Sequence, residues 1–476
     1  MSFKIGIVSL GCAKNLINTE QMMYLLTEAG YEVTSETEDV AAVLVNTCGF
    51  IESAKMEAID TIIELGKLKE EGRIKKLIVA GCLAERYKDE ILSQMPEIDA
   101  VVGVGSFDEI VAAVKGALAD IENATEIDIA SEIENASGND STQKTKQIQS
   151  QTQAKAQYFG DINAKLSETK RVITTSTAWT YLKIADGCDN HCAYCAIPSI
   201  RGRFRSRHME NIIDEAKDLA QKGIKELIIV AQDVTRYGRD LYGKAMLATL
   251  LRELCTIESI KWIRLHYLYP DEISDELIEV IAENDIIVKY LDIPIQHIND
   301  EILKNMGRRG TGDEIKSLIS HLRERIPGLV LRTSIIAGLP GENDEQFDEL
   351  GQFLKEAKIQ RTGIFTYSPE EGTPAADMDR PEQYMAEHRA KVLGDIQSIV
   401  IDDYNAARIG TTTEVLIESM TDEGYIGRSY AESPEIDGYI HIDGDGINID
   451  EFVSVLITDT RDGELFGVRV LDEYSE

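Results

Sequence analysis

Cys188-Asp189-Asn190-His191-Cys192-Ala193-Tyr194-Cys195 sets three thiols apart by three and then two residues. Tyr181-Leu182-Lys183-Ile184-Ala185 reads as a strand running straight into it. A short loop after a strand is able to wrap three thiolates around one face of an iron–sulfur cube. Such clusters usually take four cysteines, so three leave one iron open. An open iron suits binding of a substrate or cofactor better than storage of an electron. The same cysteines with His191 also suit structural zinc, although zinc sites usually come as two pairs and a convincing second pair is missing. A disulfide framework is disfavoured, because seven cysteines in 476 residues are sparse and no signal peptide is visible.

Three more cysteines share a second pattern. Lys4 to Leu10 reads as a buried strand followed by Gly11-Cys12 and a helix from about Ile17. Ala41 to Val45 reads as another strand, followed by Asn46-Thr47-Cys48-Gly49. Ile59, Ile62 and Ile63 then mark a helix stripe. Lys76 to Ala80 is a third strand, followed by Gly81-Cys82. Alternating strands and helices imply a parallel sheet. Parallel strands present their C-terminal ends on one edge, where open α/β folds bind ligands. Cys12, Cys48 and Cys82 are therefore expected to converge. The readings are buried packing thiols, a three-cysteine metal site, a redox thiol group, or a second iron–sulfur cluster with one open iron. The last is favoured.

Length predicts two or three domains, and the 43% apolar fraction is ordinary for globular proteins. No apolar run is long enough for a transmembrane helix, so a cytoplasmic protein with free thiols and no membrane role is expected. The net charge of −35 argues against a phosphate-backbone ligand and favours a basic partner or plain solubility.

Residues 1–118 form the first expected domain. Residues 119–172 are rich in Asn, Gln, Ser, Thr, Glu and Lys and read as a polar linker. From 173 to 405 six strand candidates alternate with helices: Tyr181–Ala185, Lys225–Val230, Lys261–His266, Ile287–Ile293, Val330–Ile336 and Thr362–Tyr367. Six units fit a partial parallel barrel, whose active site gathers at the strands' C-terminal ends. Gln232-Asp233, His266-Tyr267, Gln296-His297 and Arg332-Thr333 are the polar residues on these strands and the loops that follow. The two histidines read equally well as ligands or as satisfied core residues. Arg201, Arg203, Arg205 and Arg207 follow the cysteine loop as an anion site or a solvated basic loop. Cys255 falls in a helical stretch and reads as a buried structural thiol. Residues 406–476 hold five short strands that suggest a small antiparallel barrel. From Thr411 onward 17 acidic residues face three arginines and no lysine, a composition that repels RNA and attracts a basic protein.

The spacing C-x3-C-x-Φ-C, with Tyr194 as the aromatic Φ, resembles the signature of the radical S-adenosylmethionine (SAM) superfamily. Ser9-Leu10-Gly11-Cys12-Ala13-Lys14-Asn15 and Asn46-Thr47-Cys48-Gly49-Phe50-Ile51 resemble the N-terminal domain of methylthiotransferases. Gly427-Arg428-Ser429-Tyr430 and Pro434-Glu435-Ile436-Asp437-Gly438 resemble a TRAM domain. Ile197-Pro198-Ser199-Ile200-Arg201-Gly202, Ala231-Gln232-Asp233-Val234-Thr235-Arg236-Tyr237-Gly238 and Asp292-Ile293-Pro294-Ile295-Gln296-His297 resemble the branch that modifies an aspartate of a ribosomal protein, the RimO type. The sister branch, which methylthiolates adenosine in tRNA, usually has Gly-Gln-Asn in place of Ala231-Gln232-Asp233.

The resemblance implies an N-terminal open parallel α/β domain, a central partial (β/α)6 radical SAM barrel and a C-terminal TRAM barrel. It implies two 4Fe–4S clusters, one on Cys188, Cys192 and Cys195 that binds and cleaves SAM, and one on Cys12, Cys48 and Cys82 that delivers sulfur. Tyr194, Gln232, Gln296 and Arg332 are the expected SAM-binding residues. The implied product is a methylthio group on the β-carbon of an aspartate in the basic small-subunit protein of the decoding centre, free or on the ribosome. An electron donor such as flavodoxin is implied as a partner. The competing classes are a tRNA adenosine methylthiotransferase and a non-catalytic iron–sulfur carrier.

Overall fold

Strands buried on both faces read as unbroken apolar runs, and Val43-Leu44-Val45 is such a run. It lies in the middle of the first sheet. The computed structural model describes residues 3–121 and 155–470. They divide into two units, Met1–Val172 with Ser199–Arg203, and Ile173–Pro198 with Phe204–Glu476.

In the first unit β1 (Lys4–Ser9), β2 (Glu32–Thr34), β3 (Val40–Thr47), β4 (Ile74–Gly81), β5 (Ala100–Val102) and β6 (Ala156–Tyr158) form one sheet in the order β2-β1-β3-β4-β5-β6. Every pairing is parallel. Helices Ala13–Glu28, Glu52–Glu70 and Cys82–Gln94 follow β1, β3 and β4. Two apolar cores flank the sheet, one around Val43, Val45, Ile62 and Val79, the other around Ile5, Leu44, Ile78 and Val114.

Three of these strands were not anticipated, and each has three residues, too few for a period to show. One of them corrects the polar linker. Ala156–Tyr158 pairs in parallel with β5, and buried Arg171 is ion-paired with buried Glu20. Residues 155–172 thus belong to the first unit; 122–154 lie outside the described residues.

The second unit begins with β7 (Trp179–Lys183). The two-residue strands β8 (Ala185–Asp186) and β9 (Arg205–Ser206) pair across the cysteine loop. β10 (Glu226–Val230), β11 (Trp262–Leu265), β12 (Ile287–Asp292), β13 (Val330–Ala337) and β14 (Arg361–Thr366) continue the main sheet in the order β14-β13-β12-β11-β10-β7. All are parallel, with helices between them, so this is the open six-stranded barrel the sequence predicts. Two of its helices start with a full capping box, Thr311 with Glu314 and Asn343 with Gln346.

The tail forms a closed barrel of β15 (Thr412–Thr421), β16 (Gly424–Arg428), β17 (Ile440–Asp443), β18 (Phe452–Arg461) and β19 (Glu464–Arg469). It departs from the expected antiparallel arrangement at one seam, where β17 and β19 run parallel. Its 429–437 loop reaches the main sheet. Tyr181 donates to Glu435 and Tyr290 to Asp437, each at 2.7 Å. Buried Glu226 on β10 bridges Arg264 on β11 and Arg428 of the tail at 2.7 and 2.8 Å.

Candidate active site with two cysteine groups

The late cysteines sit on one loop pinned from several sides. Asn190 donates to Asp233 at 2.8 Å and accepts from Arg309 at 3.2 Å. The Ala193 N–H donates to the Met306 carbonyl at 2.9 Å. The Cys188 and Cys195 sulfurs accept the N–H groups of Asn190 and Ile197, at 3.4 and 3.5 Å. Cys192 has the Tyr269 hydroxyl 3.8 Å away and the Arg308 guanidinium 3.9 Å away. Arg308 lies over the Tyr269 ring, 4.2 Å from its centroid. Burial pushes the Cys188 thiol up to about 11, and the Cys195 thiol is raised by burial and by Cys192. Such sulfurs become thiolates when a cation binds them.

Tyr194 is half-buried beside Cys192, in a small cluster with Leu339 and Tyr367. Gln232, just past β10, donates to Asp186 at 3.1 Å, while its carbonyl oxygen is buried without a partner among the described residues. A buried unpaired acceptor is costly and marks a place where a ligand donor is expected. Gln296 follows β12 with φ +71°, and Tyr267 follows β11 with φ +64°. Left-handed backbone at residues other than glycine costs roughly 1–3 kcal/mol and tends to occur at ligand clamps. Arg332 gives one nitrogen to Asp292 at 2.8 Å.

Both strand-end histidines are buried. His266 pairs with Ser433 at 2.9 Å. His297 is fully buried and accepts the Asn299 N–H at 3.0 Å. The arginine run is only partly solvated, with Arg203 exposed and Arg205 half-buried. Arg207 binds the Lys183 carbonyl and Glu215, and Arg201 is buried in the first unit. Cys255 is half-buried against the second unit's core.

In the first unit β1, β3 and β4 are neighbours, and Cys12, Cys48 and Cys82 follow their C-terminal ends. A Cβ placed on Gly11, whose φ is +90°, would lie 2.7 Å from the Cys48 Cβ. One on Gly49 would lie 2.7 Å from the Leu83 nitrogen and 2.9 Å from the Cys82 carbonyl carbon. Only glycine admits this approach of the three loops. Buried Asn15 and Asn46 fasten them. Asn15 donates to the Leu10 carbonyl at 2.7 Å, and Asn46 donates to the Asn15 carbonyl at 2.9 Å. Cys12 caps one helix and Cys82 opens another, positions that favour thiolates. Enclosure works against ionisation of Cys12, but Lys14, Arg201 and two backbone N–H groups outweigh it and hold the thiol low. Burial pushes Cys82 up to about 11 despite Arg201.

All seven cysteines are free thiols. Among the described residues no three Cys, His, Asp or Glu side chains gather tightly enough for one metal ion, and His191 is exposed. The donor chemistry of both trios fits an iron–sulfur cube.

Family models agree with this division. The radical SAM superfamily matches residues 182–354, the uncharacterized protein family UPF0004 matches 4–103, and the TRAM domain matches 409–470. The ribosomal protein uS12 methylthiotransferase RimO of Acetivibrio thermocellus is 45% identical over 100% of both chains. The RimO of Clostridium perfringens is 44% identical over 98% of each. The chain belongs to the RimO family. The structure of a radical SAM methyltransferase, TsrM from Kitasatospora setae, has a TM-score of 0.53 at 16% identity, covering 79% of this chain and 77% of that one. That likeness is one of fold. Several residues of this RimO-family site escaped sequence reasoning. Tyr269, Arg308 and Asn190 crowd the late trio, and Asn15 and Asn18 crowd the early one beside Arg201, which the arginine run marked only as a candidate anion site. The Arg308-Arg309 pair was a visible signal for the late trio.

Proposed function

We propose that this protein attaches a methylthio group to the β-carbon of an aspartate in ribosomal protein uS12. One observation carries the reading: a full-length likeness to RimO enzymes coincides with two cysteine trios, each at strand ends of a separate α/β frame. Cys188, Cys192 and Cys195 would hold a 4Fe–4S cluster, which with SAM would supply a carbon radical able to take hydrogen from an unactivated carbon. Cys12, Cys48 and Cys82 would hold a second cluster that would supply the sulfur, with a second SAM as the methyl source.

The chain's own part is binding and orientation. Tyr194 would face the adenine, and the unpaired Gln232 carbonyl oxygen would take a donor of SAM, with Gln296 held just past β12 by its left-handed backbone. Arg332, with one nitrogen committed to Asp292, offers its remaining donors. Arg308 places positive charge beside Cys192.

The proposed domains are 1–118 with 155–172, then 173–405 and 406–476, and the proposed place of action is the cytoplasm. No helix of the described residues is long and apolar enough to cross a membrane. An electron donor such as flavodoxin supplies reducing equivalents. Exposed Asp422, Glu423, Asp443, Asp445 and Asp462 of the tail attract a basic protein and repel RNA. The test is mass spectrometry of uS12 from cells with and without this gene. A methylthio adduct on one aspartate, present only with the gene, is expected; an adduct on tRNA adenosine instead would overturn the assignment.

A further inference from the structure

The second unit's main sheet does not close, and β14 and β7 are its two ends. Arg332 stands beside the β14 end. Along β13, Leu331, Ile335 and Ala337 pack into the core under the helices. Side chains alternate along a strand, so half-buried Arg332, Ser334 and Ile336 face the other way, into the barrel. Asp292 fixes the guanidinium's direction. It is 1% exposed, accepts the Tyr267 N–H at 3.3 Å and takes Arg332 Nη1 at 2.8 Å. Nε and Nη2 of Arg332 have no hydrogen-bond or ion-pair partner among the described residues. These two nitrogens form one edge of the planar fork, which receives a carboxylate through two parallel bonds. Gly363, in register with Ser334, leaves room there: a Cβ on it would lie 3.6 Å from Nη2 and 3.1 Å from the Phe365 ring. Phe365 is 47% exposed, a large apolar side chain beside the guanidinium.

Two carboxylates compete for this fork, that of SAM and that of the target aspartate. SAM belongs at the Cys188–Cys195 loop, and the guanidinium beside that loop is Arg308, at Cys192. No hydrogen bond joins Arg332 to the loop among the described residues. In the target aspartate the β-carbon is bonded directly to the carboxylate carbon. Gripping the two oxygens therefore fixes the reacting carbon. An adenosine has no carboxylate to offer.

We propose that Arg332 is a specificity-determining residue for the substrate: its Nε–Nη2 edge, aimed by Asp292, holds the carboxylate of the target aspartate, with Phe365 as the wall beside it. This rests on the uS12 reading given above.

The test uses the full, reconstituted chain with SAM and fluorescently labelled uS12 in two forms, one with the target aspartate and one with asparagine in its place. Dissociation constants are read by anisotropy at pH 7 for the unaltered chain and for Arg332→Lys and Arg332→Gln. The ratio between the two forms cancels general losses of affinity. The unaltered chain is expected to favour the aspartate form about tenfold. Arg332→Gln is expected to lose that preference, and Arg332→Lys to fall between. Arg332→Lys keeps a cation beside Asp292, so it carries the test even where Arg332→Gln does not fold. Equal affinities for the two forms in the unaltered chain overturn the proposal, as does a ratio unchanged in the variants. A fall in SAM affinity with that ratio unchanged also overturns it and assigns the guanidinium to SAM. Binding of neither form by the unaltered chain ends the uS12 reading, and this proposal with it.

Discussion

The two cysteine trios are assembled by opposite means. Cys188, Cys192 and Cys195 lie within eight residues, and one loop presents them all. Cys12, Cys48 and Cys82 meet only because β1, β3 and β4 are neighbours in a parallel sheet. The late trio is a local motif and the early one a product of topology. The difference teaches that damage to the two sites is separable. Backbone changes that spread the early loops leave the late loop intact.

The largest expected effect is at the late trio. Cys192→Ala should abolish formation of 5′-deoxyadenosine from SAM, read by chromatography of reduced protein; persistence of that product would break the comparison on the late side. Gly49→Ala should come next. Its new methyl collides with the Leu83 backbone, not with a yielding side chain. The first unit should lose roughly 1–3 kcal/mol, and early-trio iron should fall while SAM cleavage persists. Equal loss at both trios would show that they are not independent.

A third prediction concerns the tail. Burial alone would raise the Glu432 carboxyl, but Arg408 and Arg361 hold it at about 2 instead of 4.5. A carboxyl depressed on folding gives stability that is complete above 4.5 and is lost as pH falls toward 2. Glu432→Ala strands buried Arg361 and half-buried Arg408 and should cost roughly 3–5 kcal/mol, read by denaturant unfolding. It should also flatten the acid limb between pH 4.5 and 2, and an unchanged limb would contradict the assignment. The smallest effect should be at the half-buried Cys255, where Cys255→Ala should leave both iron and SAM cleavage unchanged.

The barrel was legible because its strands are apolar runs, separated by helices with clear stripes and caps. Convergence of the early cysteines was legible from strand-end position alone. The three-residue strands were not, since Glu32–Thr34 and Ala156–Tyr158 gain their conformation from a neighbour's free edge. Arg201 looked like part of a basic loop, because burial among Asn15, Asn18 and Cys82 depends on chain segments more than a hundred residues away. The tail's charge was countable but its pairing was not. Glu418, Glu432 and Glu226 face Arg428, Arg361, Arg408 and Arg264 inside the protein, so part of the acidity never reaches solvent.

The most direct measurement is a single comparison of Cys48→Ala with the unaltered chain after anaerobic reconstitution. Unaltered protein should carry about eight irons, two cubes, and the variant about four. The variant should still release 5′-deoxyadenosine while uS12 gains no methylthio group. Normal methylthiolation by Cys48→Ala, or an unaltered chain with only about four irons, would contradict the division of labour between the two trios.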